Sequence, residues 1–402
     1  MLYSLFFITL TTIVVFMHYY LWIRKIRDTE VKGAWRFVLT SLMVCGALLI
    51  PLSYFLSRKL PRDKFGLIAF IAFLWLGFAL YAFLFHSAWD TVRLVSALNK
   101  VWRYVSKLVT KKIETQTDPS DPERRTFLAR TVAATGAFTT FGISVFGVRS
   151  AFGEVCTPEV LVRLSRLSPA LSGFKIALIS DVHFGPILGK DFATYIVEKT
   201  NAMKPDLIAI TGDLVDGPVN LLKNDVAPLG KLQSKYGVYF VTGNHEYYTP
   251  GVIKWLDFLR SFSFCVLGND HVTIGDSYGA GRFDLAGIYD PRGSISLPDH
   301  TPDLPKALEG RNPERELILL AHRPSQVFEA AQADVGLQLS GHTHGGQLWP
   351  FGQIVLLNQP YVSGLHQHDK LTQIYVTRGT GFWGPPMRVL APAEITCIVL
   401  TT

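Results

Sequence analysis

A chain of 402 residues that is 49% hydrophobic and 18% charged is longer than one ordinary soluble domain of about 100 to 200 residues, and its apolar content excludes a disordered or fibrous protein. Residues 1–150 carry 19 Lys and Arg against 8 Asp and Glu, while residues 151–402 carry 20 against 24, so the net +7 divides into +11 and −4. A nucleic-acid binder gathers positive charge on the domain that meets phosphate; here the charge flanks apolar runs, as it does in a membrane protein.

In chain order, uncharged apolar runs cover residues 2–23, 37–56 and 65–85, each near the ~20 residues that cross ~30 Å of hydrocarbon as a helix. A fourth and shorter run, 131–148, is rich in Gly, Ala and Thr and follows Arg124, Arg125 and Arg130, which suit an interfacial anchor. Between 88 and 110, Trp89, Val92, Val95, Leu98, Trp102, Val105 and Val109 recur every three or four residues. That spacing fits an amphipathic helix lying in the membrane interface, and equally a connecting helix packed on other protein. Lys and Arg number five in 24–36, four in 58–64 and eight between the third run and Arg125. Placing the first and third loops in the cytoplasm sets 13 positive charges inside against four outside. The domain after the fourth span is then expected outside the cytoplasm, in the cell membrane's outer-facing compartment. Arg124-Arg125-Thr-Phe-Leu before the small-residue stretch also resembles a twin-arginine export signal, although positive-inside charge alone produces the same letters. Residues 115–123, with Pro119 and Pro122, read as a polar linker. The expected division is a membrane region, 1–150, and a second domain, 151–402.

From Phe174 the pattern changes to short apolar strands that each end in polar residues. They lead into Asp181 and His183, into Asp213, into Asn244, His245 and Glu246, into His322, and into His342 and His344. Continuous apolar strands with helical stretches between them indicate an α/β domain whose sheets are covered on both faces, and sites in such sheets collect at the strands' carboxyl ends. Two Asp, one Asn and four His form a mixed oxygen and imidazole set suited to Mn, Fe, Zn, Co or Ni more than to Ca or Mg. Seven candidate ligands exceed the needs of one ion. With a bridging carboxylate they fit two divalent metal ions about 3.5–4 Å apart, the arrangement that clamps both oxygens of a phosphoryl transfer. The four cysteines (Cys45, Cys156, Cys265, Cys397) are scattered with no CxxC spacing, so neither a zinc cluster nor a disulfide framework is expected.

Asp181-x-His183, Gly212-Asp213, Gly243-Asn244-His245-Glu246, His322 and Gly341-His342-x-His344 resemble, in order, the five blocks of the calcineurin-like metallophosphoesterase family. Gly345-Gly346-Gln347, Arg378-Gly-Thr-Gly381 and the segment 385–394 resemble its bacterial subfamily with membrane or twin-arginine N-termini. The resemblance implies a two-sheet β-sandwich flanked by helices. It also implies that Asp181, His183 and His344 hold one metal, that Asn244, His322 and His342 hold the other, and that Asp213 bridges them. His245 is expected to act catalytically as phosphate donor or general acid, with Asp216 and Glu246 orienting the ligands. Many family members have Arg after Gly-Asp-x-x-Asp; here Gly217 follows Asp216, which removes one phosphate anchor. Arg323 and Arg378 are candidate substrate-binding residues, or partners of acidic groups. Trp349, Phe382 and Trp383 are expected in the core, an apolar rim near the metals being the other reading.

The implied reaction is metal-dependent hydrolysis of a phosphomonoester, phosphodiester or pyrophosphate. Membrane anchoring directs the substrate expectation to a lipid-linked phosphate or cell-envelope precursor, with membrane lipid as a partner. A non-catalytic metal-binding sensor or scaffold of the same fold would be expected to lose some ligand residues, and all are present. A transporter is disfavoured because the apolar runs contain no Asp or Glu.

Overall fold

A computed structural model describes residues 2–57, 59–109, 121–249, 251–276 and 281–402, and the chain divides into two compact units, Met1–Phe55 with Ile71–Phe146, and Leu56–Phe70 with Gly147–Thr402. Four long helices arise from the apolar runs: α1 (Leu2–Trp22), α2 (Gly33–Leu56), α3 (Arg62–Val109) and α4 (Pro122–Ala151). Each is long and apolar enough to cross a membrane. α3 differs from the expected pair of elements. The third apolar run and the amphipathic segment form one helix of 48 residues, because no Gly or Pro between His86 and Arg103 interrupts it. On its second half Val92, Val95, Leu98 and Trp102 are exposed. The expected linker lies outside the described residues as far as 120; beyond it the Asp121 carboxylate accepts the Glu123 N–H at 2.9 Å, and Pro122 opens α4 where no N–H is required.

Within the helical unit, polar contacts join elements that lie far apart in sequence. The Trp75 Nε1–H faces His18 Nε2 at 2.9 Å, Tyr20 donates to Asp90 at 2.5 Å, and Arg24 pairs with Asp90 at 2.7 Å. Gly46 is required beside Trp75, since a Cβ there would stand 2.0 Å from Nε1. Small residues at such crossings and interhelical hydrogen bonds hold helices together where the surroundings are apolar.

The second unit is larger than 151–402. It takes in the start of α3, where Arg62 donates to the Ile187 carbonyl at 3.2 Å and pairs with Asp225 at 3.8 Å, and the end of α4, where the Gly147 carbonyl accepts the Arg388 N–H at 2.9 Å. Among the described residues its strands are β1 (Glu159–Arg163), β2 (Lys175–Ile179), β3 (Leu207–Ile210), β4 (Val238–Phe240), β5 (Cys265–Val266), β6 (Asp270–Gly275), β7 (Arg282–Gly287), β8 (Glu316–Leu320), β9 (Leu337–Ser340), β10 (Gly364–Gln367), β11 (Gln373–Val376) and β12 (Thr396–Thr401). They form two six-stranded mixed sheets, ordered β1-β12-β2-β3-β4-β5 and β10-β11-β9-β8-β7-β6. β2 to β5 run parallel in one sheet, and β7, β8, β9 and β11 run parallel in the other.

Side chains alternate between faces along a strand, and the apolar runs use that period twice over. Ile176 and Leu178 of β2, Leu207 and Ala209 of β3, and Ile318 and Leu320 of β8 face one buried cluster that also holds Phe283, Leu339 and Ile398. The intervening Ala177, Ile179, Ile208 and Ile210 face another, covered by helices α5 (Lys190–Ala202), α6 (Val219–Val226) and α7 (Val252–Arg260) through Ile196, Val226, Trp255 and Leu259. Leu317 and Leu319 turn outward on the second sheet to a smaller cluster with Leu304 and Ala330. The shared cluster is therefore the layer between the sheets, and the expected sandwich flanked by helices is the observed architecture.

Candidate metal centre

Five strands, three from one sheet and two from the other, end at one edge of the sandwich. β2 leads to Asp181 and His183, β3 to Asp213, β4 to Asn244 and His245, β8 to His322, and β9 to His342 and His344. The chain turns sharply on leaving each strand. Asp181, His183, Asp213, His342 and His344 have φ between 51° and 71°, the left-handed region that Asp and His tolerate better than most side chains. Neighbouring glycines make the crossings possible. A Cβ on Gly341 would lie 2.1 Å from the Asp181 carboxylate, and one on Gly243 would lie 2.2 Å from that of Asp213.

The donor atoms converge in three overlapping groups: Asp181 with His183 and His344, His183 with Asp213 and His245, and Asp213 with His322 and His342. His183 and His344 present Nε2 to Nε2 at 3.0 Å. His322 gives its Nδ1–H to the Thr211 carbonyl at 2.7 Å. That bond fixes the tautomer and leaves a lone pair on Nε2, 3.2 Å from Asp213 Oδ2. While His322 is neutral, this Nε2 and Asn244 Oδ1 are buried acceptors without a hydrogen-bond partner among the described residues. Orphaned buried acceptors beside a carboxylate are costly unless a cation occupies the space between them. The donor set thus fits a cation centre. His245, the neighbour of Asn244, also turns its ring into the cluster, with its centroid 4.5 Å from that of His183.

Charge within the cluster is distributed accordingly. Burial by itself lowers the His322 and His183 pKa values, but Asp213 acting on His322, and Asp216 with Asp213 on His183, push them up to about 10 and about 9. Burial, with the positive charge of those two rings, holds His342 and His344 well below the usual imidazole value. Burial raises Asp181, with the nearby Asp213 adding to the effect. Against the same burial, His322, His245 and His183 hold Asp213 well below the usual carboxylate range. The cluster calls for positive charge, which protons on two imidazoles supply when no cation does.

A second ring of residues fixes these donors. The Asp216 carboxylate stands 3.2 Å from His183 Nδ1 and 2.5 Å from His245 Nδ1, holding both rings. The Glu246 carboxylate accepts the N–H groups of Gly243 at 2.7 Å, Leu214 at 2.7 Å and Asp213 at 3.0 Å. Burial and the neighbouring Asp213 push its pKa up to about 7. Arg323 is engaged in a two-point pair with Asp290, at 2.6 and 2.8 Å, and Arg378 Nε donates to Glu394 at 2.7 Å, so each expected substrate contact is tied to a buried acid and keeps Nη1 apart from that pair. Phe382 is buried, whereas Trp349 and Trp383 are exposed, so the core expectation holds for one of the three aromatics. Sequence reasoning passed over Arg388, which is fully buried and donates to the carbonyls of Gly381, Ala391 and Gly379, with an Nη2 contact to His344 Nδ1 at 3.4 Å. Its one signal was membership of the 385–394 segment.

A family model described as calcineurin-like phosphoesterase matches residues 174–346. A Bos taurus protein described as a transmembrane protein with metallophosphoesterase domain is 42% identical over 275 residues, covering 66% of this chain and 62% of its own length. An uncharacterized metallophosphoesterase of Helicobacter pylori is 42% identical over 238 residues, 59% of this chain and 61% of its own. Another from Aquifex aeolicus is 34% identical over 234 residues, covering 58% and 87%. The chain thus spans about three fifths of the length of the first two relatives.

Glu246→Gln sets an amide N–H₂ against at least one of the three inward backbone N–H groups. An unsatisfied buried donor costs about 1–3 kcal/mol, so thermal unfolding of the full chain should shift down by a corresponding margin. An unchanged melting curve would remove Glu246 from the organisation of these loops.

Proposed function

The chain belongs to the calcineurin-like metallophosphoesterase family, and from that membership we propose that it is a membrane-bound hydrolase of phosphoric esters working with two divalent metal ions. The observation that carries the reading is the convergence of Asp181, His183, Asp213, His245, His322, His342 and His344 at the strand ends, with the buried acceptors of His322 and Asn244 lacking partners among the described residues. In this reading Asp181, His183 and His344 would hold one ion, Asn244, His322 and His342 would hold the other, and Asp213 would serve both. The mixed oxygen and nitrogen set favours Mn, Fe, Zn, Co or Ni. Bound there, the ions supply Lewis acidity and a water of lowered pKa.

The chain's own residues do the rest. Asp216 holds His245 through Nδ1 at 2.5 Å, which leaves Nε2 to address the phosphoryl group or protonate the departing oxygen. The Nη1 groups of Arg323 and Arg378, which lie outside their pairs with Asp290 and Glu394, are the proposed phosphate contacts. The substrate class is a phosphomonoester, phosphodiester or pyrophosphate, and membrane anchoring favours one carried on a lipid or envelope precursor. We assign the catalytic unit to the side of the membrane away from the cytoplasm. The 13-to-four charge balance supports this, and the presence of the start of α3 and the end of α4 in one unit supports only that both lie on one side. Export through the twin-arginine letters is part of the same reading.

The direct test strips the full chain of metal in detergent, reloads it with each candidate ion and assays a generic aryl phosphodiester. Turnover should appear only on reloading, and Asp213→Asn should abolish it while reducing bound metal toward one ion or none. Two retained ions with normal turnover would refute the assigned bridge. His245→Ala should lower kcat by about 10² to 10⁴, the range of general acid catalysis, with metal content unchanged and a smaller loss for a good leaving group than for a poor one. Loss of a metal ion would instead make His245 a ligand. For topology, a reporter active only in the cytoplasm and fused after Thr402 should stay silent; a strong signal would exclude four spans.

A further inference from the structure

Beside the metal centre the second unit shows water a face that an ordinary soluble surface would not. Leu357 is 86% exposed, Leu390 69%, Trp349 59% and Ile354 57%. From Gly345 to Leu365 the chain contains no Asp, Glu, Lys or Arg, although the protein as a whole is 18% charged. Leu390 is held at φ 58°. A left-handed backbone costs a branched apolar residue of order 1–3 kcal/mol, and such strain persists where the surrounding structure imposes it. Here it serves to keep a leucine side chain in solvent. Contiguous exposed apolar surface of this kind marks a docking site.

The fold ties this face to the ends of the long apolar helices. The Arg388 N–H donates to the Gly147 carbonyl in the last turns of α4 at 2.9 Å, the Val389 N–H donates to Gln347, and the Val389 carbonyl accepts the Trp349 N–H at 3.1 Å. A Cβ on Gly147 would reach Val389 Cγ2 at 3.0 Å, so the helix backbone presses directly on the strap that carries Leu390. A second tether comes from the start of α3, where Gly66 lies so close to the Pro186 carbonyl that a Cβ would stand 2.6 Å from it. A helix of this length that crosses a bilayer brings its C-terminal end to the polar boundary, and an uncharged surface bearing Trp, Leu and Ile is what that boundary accepts.

We propose that the face formed by Trp349, Ile354, Leu357 and Leu390 docks into the headgroup region of the bilayer crossed by the chain's own helices, next to the mouth of the metal centre. The link to the mouth is short. Gln347 Nε2 donates to the Trp383 carbonyl at 2.9 Å, and the Trp383 ring lies 5.8 Å from that of His245. Docking therefore holds the candidate site at the membrane surface, where an amphiphilic phosphoester reaches it without leaving the lipid. The proposal rests on α4 crossing the bilayer and is independent of whether the site hydrolyses anything.

The test places an environment-sensitive fluorophore at single cysteines in the full chain, its four native cysteines replaced, in nanodiscs containing nitroxide-labelled phosphatidylcholine. The positions are Leu357→Cys, Leu390→Cys and, as the control, Lys235→Cys in the turn before β4 at the opposite ends of the strands. Blue-shifted emission and strong quenching at 357 and 390, with neither at 235, is the expected result. Equal quenching at all three positions, or none at 357 and 390, would overturn the proposal. So would shielding at 357 and 390 that persists unchanged in detergent, since that marks a second copy of the chain as the occupant. Hydroxyl-radical labelling of the unsubstituted chain supplies a reading free of substitutions: Leu357 and Trp349 should be protected in nanodiscs relative to detergent-free lipid-poor particles, and equal labelling would count against docking.

Discussion

The geometry of the cation centre depends on how backbone, and not only side chains, is held where the strands end. The Glu246 carboxylate draws in N–H groups from the loop after β3 and the loop after β4, while Asp181 accepts the His342 N–H with both oxygens at 3.0 Å, joining the two sheets. The Asp213 carboxylate in turn accepts the His245 N–H at 2.7 Å. Each carboxylate that could face a cation thus also fixes a turn of chain, so donor positions and loop positions are set together. The left-handed conformations of five donor residues are tolerable in this setting because the bonds that impose them are buried and charge-assisted.

The sandwich makes that convergence possible. Because β2, β3 and β8 bury one apolar face in the layer between the sheets and a second apolar face elsewhere, none of them can slip by one residue without exchanging two complete apolar sets. The register fixed by packing carries through to the loop residues one to four positions beyond. Ala177 and Ile179 lock β2 against the helices while Ile176 and Leu178 lock it against the other sheet, and Asp181 and His183 follow in the only phase left to them.

The membrane segments are not simply a leash attached to this domain. Arg62 reaches the Ile187 carbonyl and Asp225, and the end of α4 meets the strap before β12. Two separate stretches of the apolar N-terminal part therefore belong to the compact catalytic unit.

Much of this was legible in the letters. Apolar runs of about 20 residues mark membrane-crossing helices because hydrocarbon leaves no other way to satisfy the backbone. Short apolar runs ending in Asp, Asn or His mark the donor edge because parallel strands covered on both faces carry function only at their ends. The sequence by itself determined which elements form and which residue types stand at the donor edge, since both are governed by local periodicity and by chemistry carried in each side chain. It separated 65–85 from 88–110 although no Gly or Pro divides them, began the second unit at 151, and left open whether Arg323 and Arg378 faced phosphate or acid. It also concealed Arg388, whose partners are carbonyls and so leave no complementary charge to find. Those matters were decided by the tertiary structure, because each depends on which distant segment arrives alongside: Asp290 beside Arg323, Glu394 beside Arg378, Pro186 beside Gly66 and Gly147 beside Val389. Such meetings are fixed by packing across the whole unit, and nothing in the local sequence on either side encodes them.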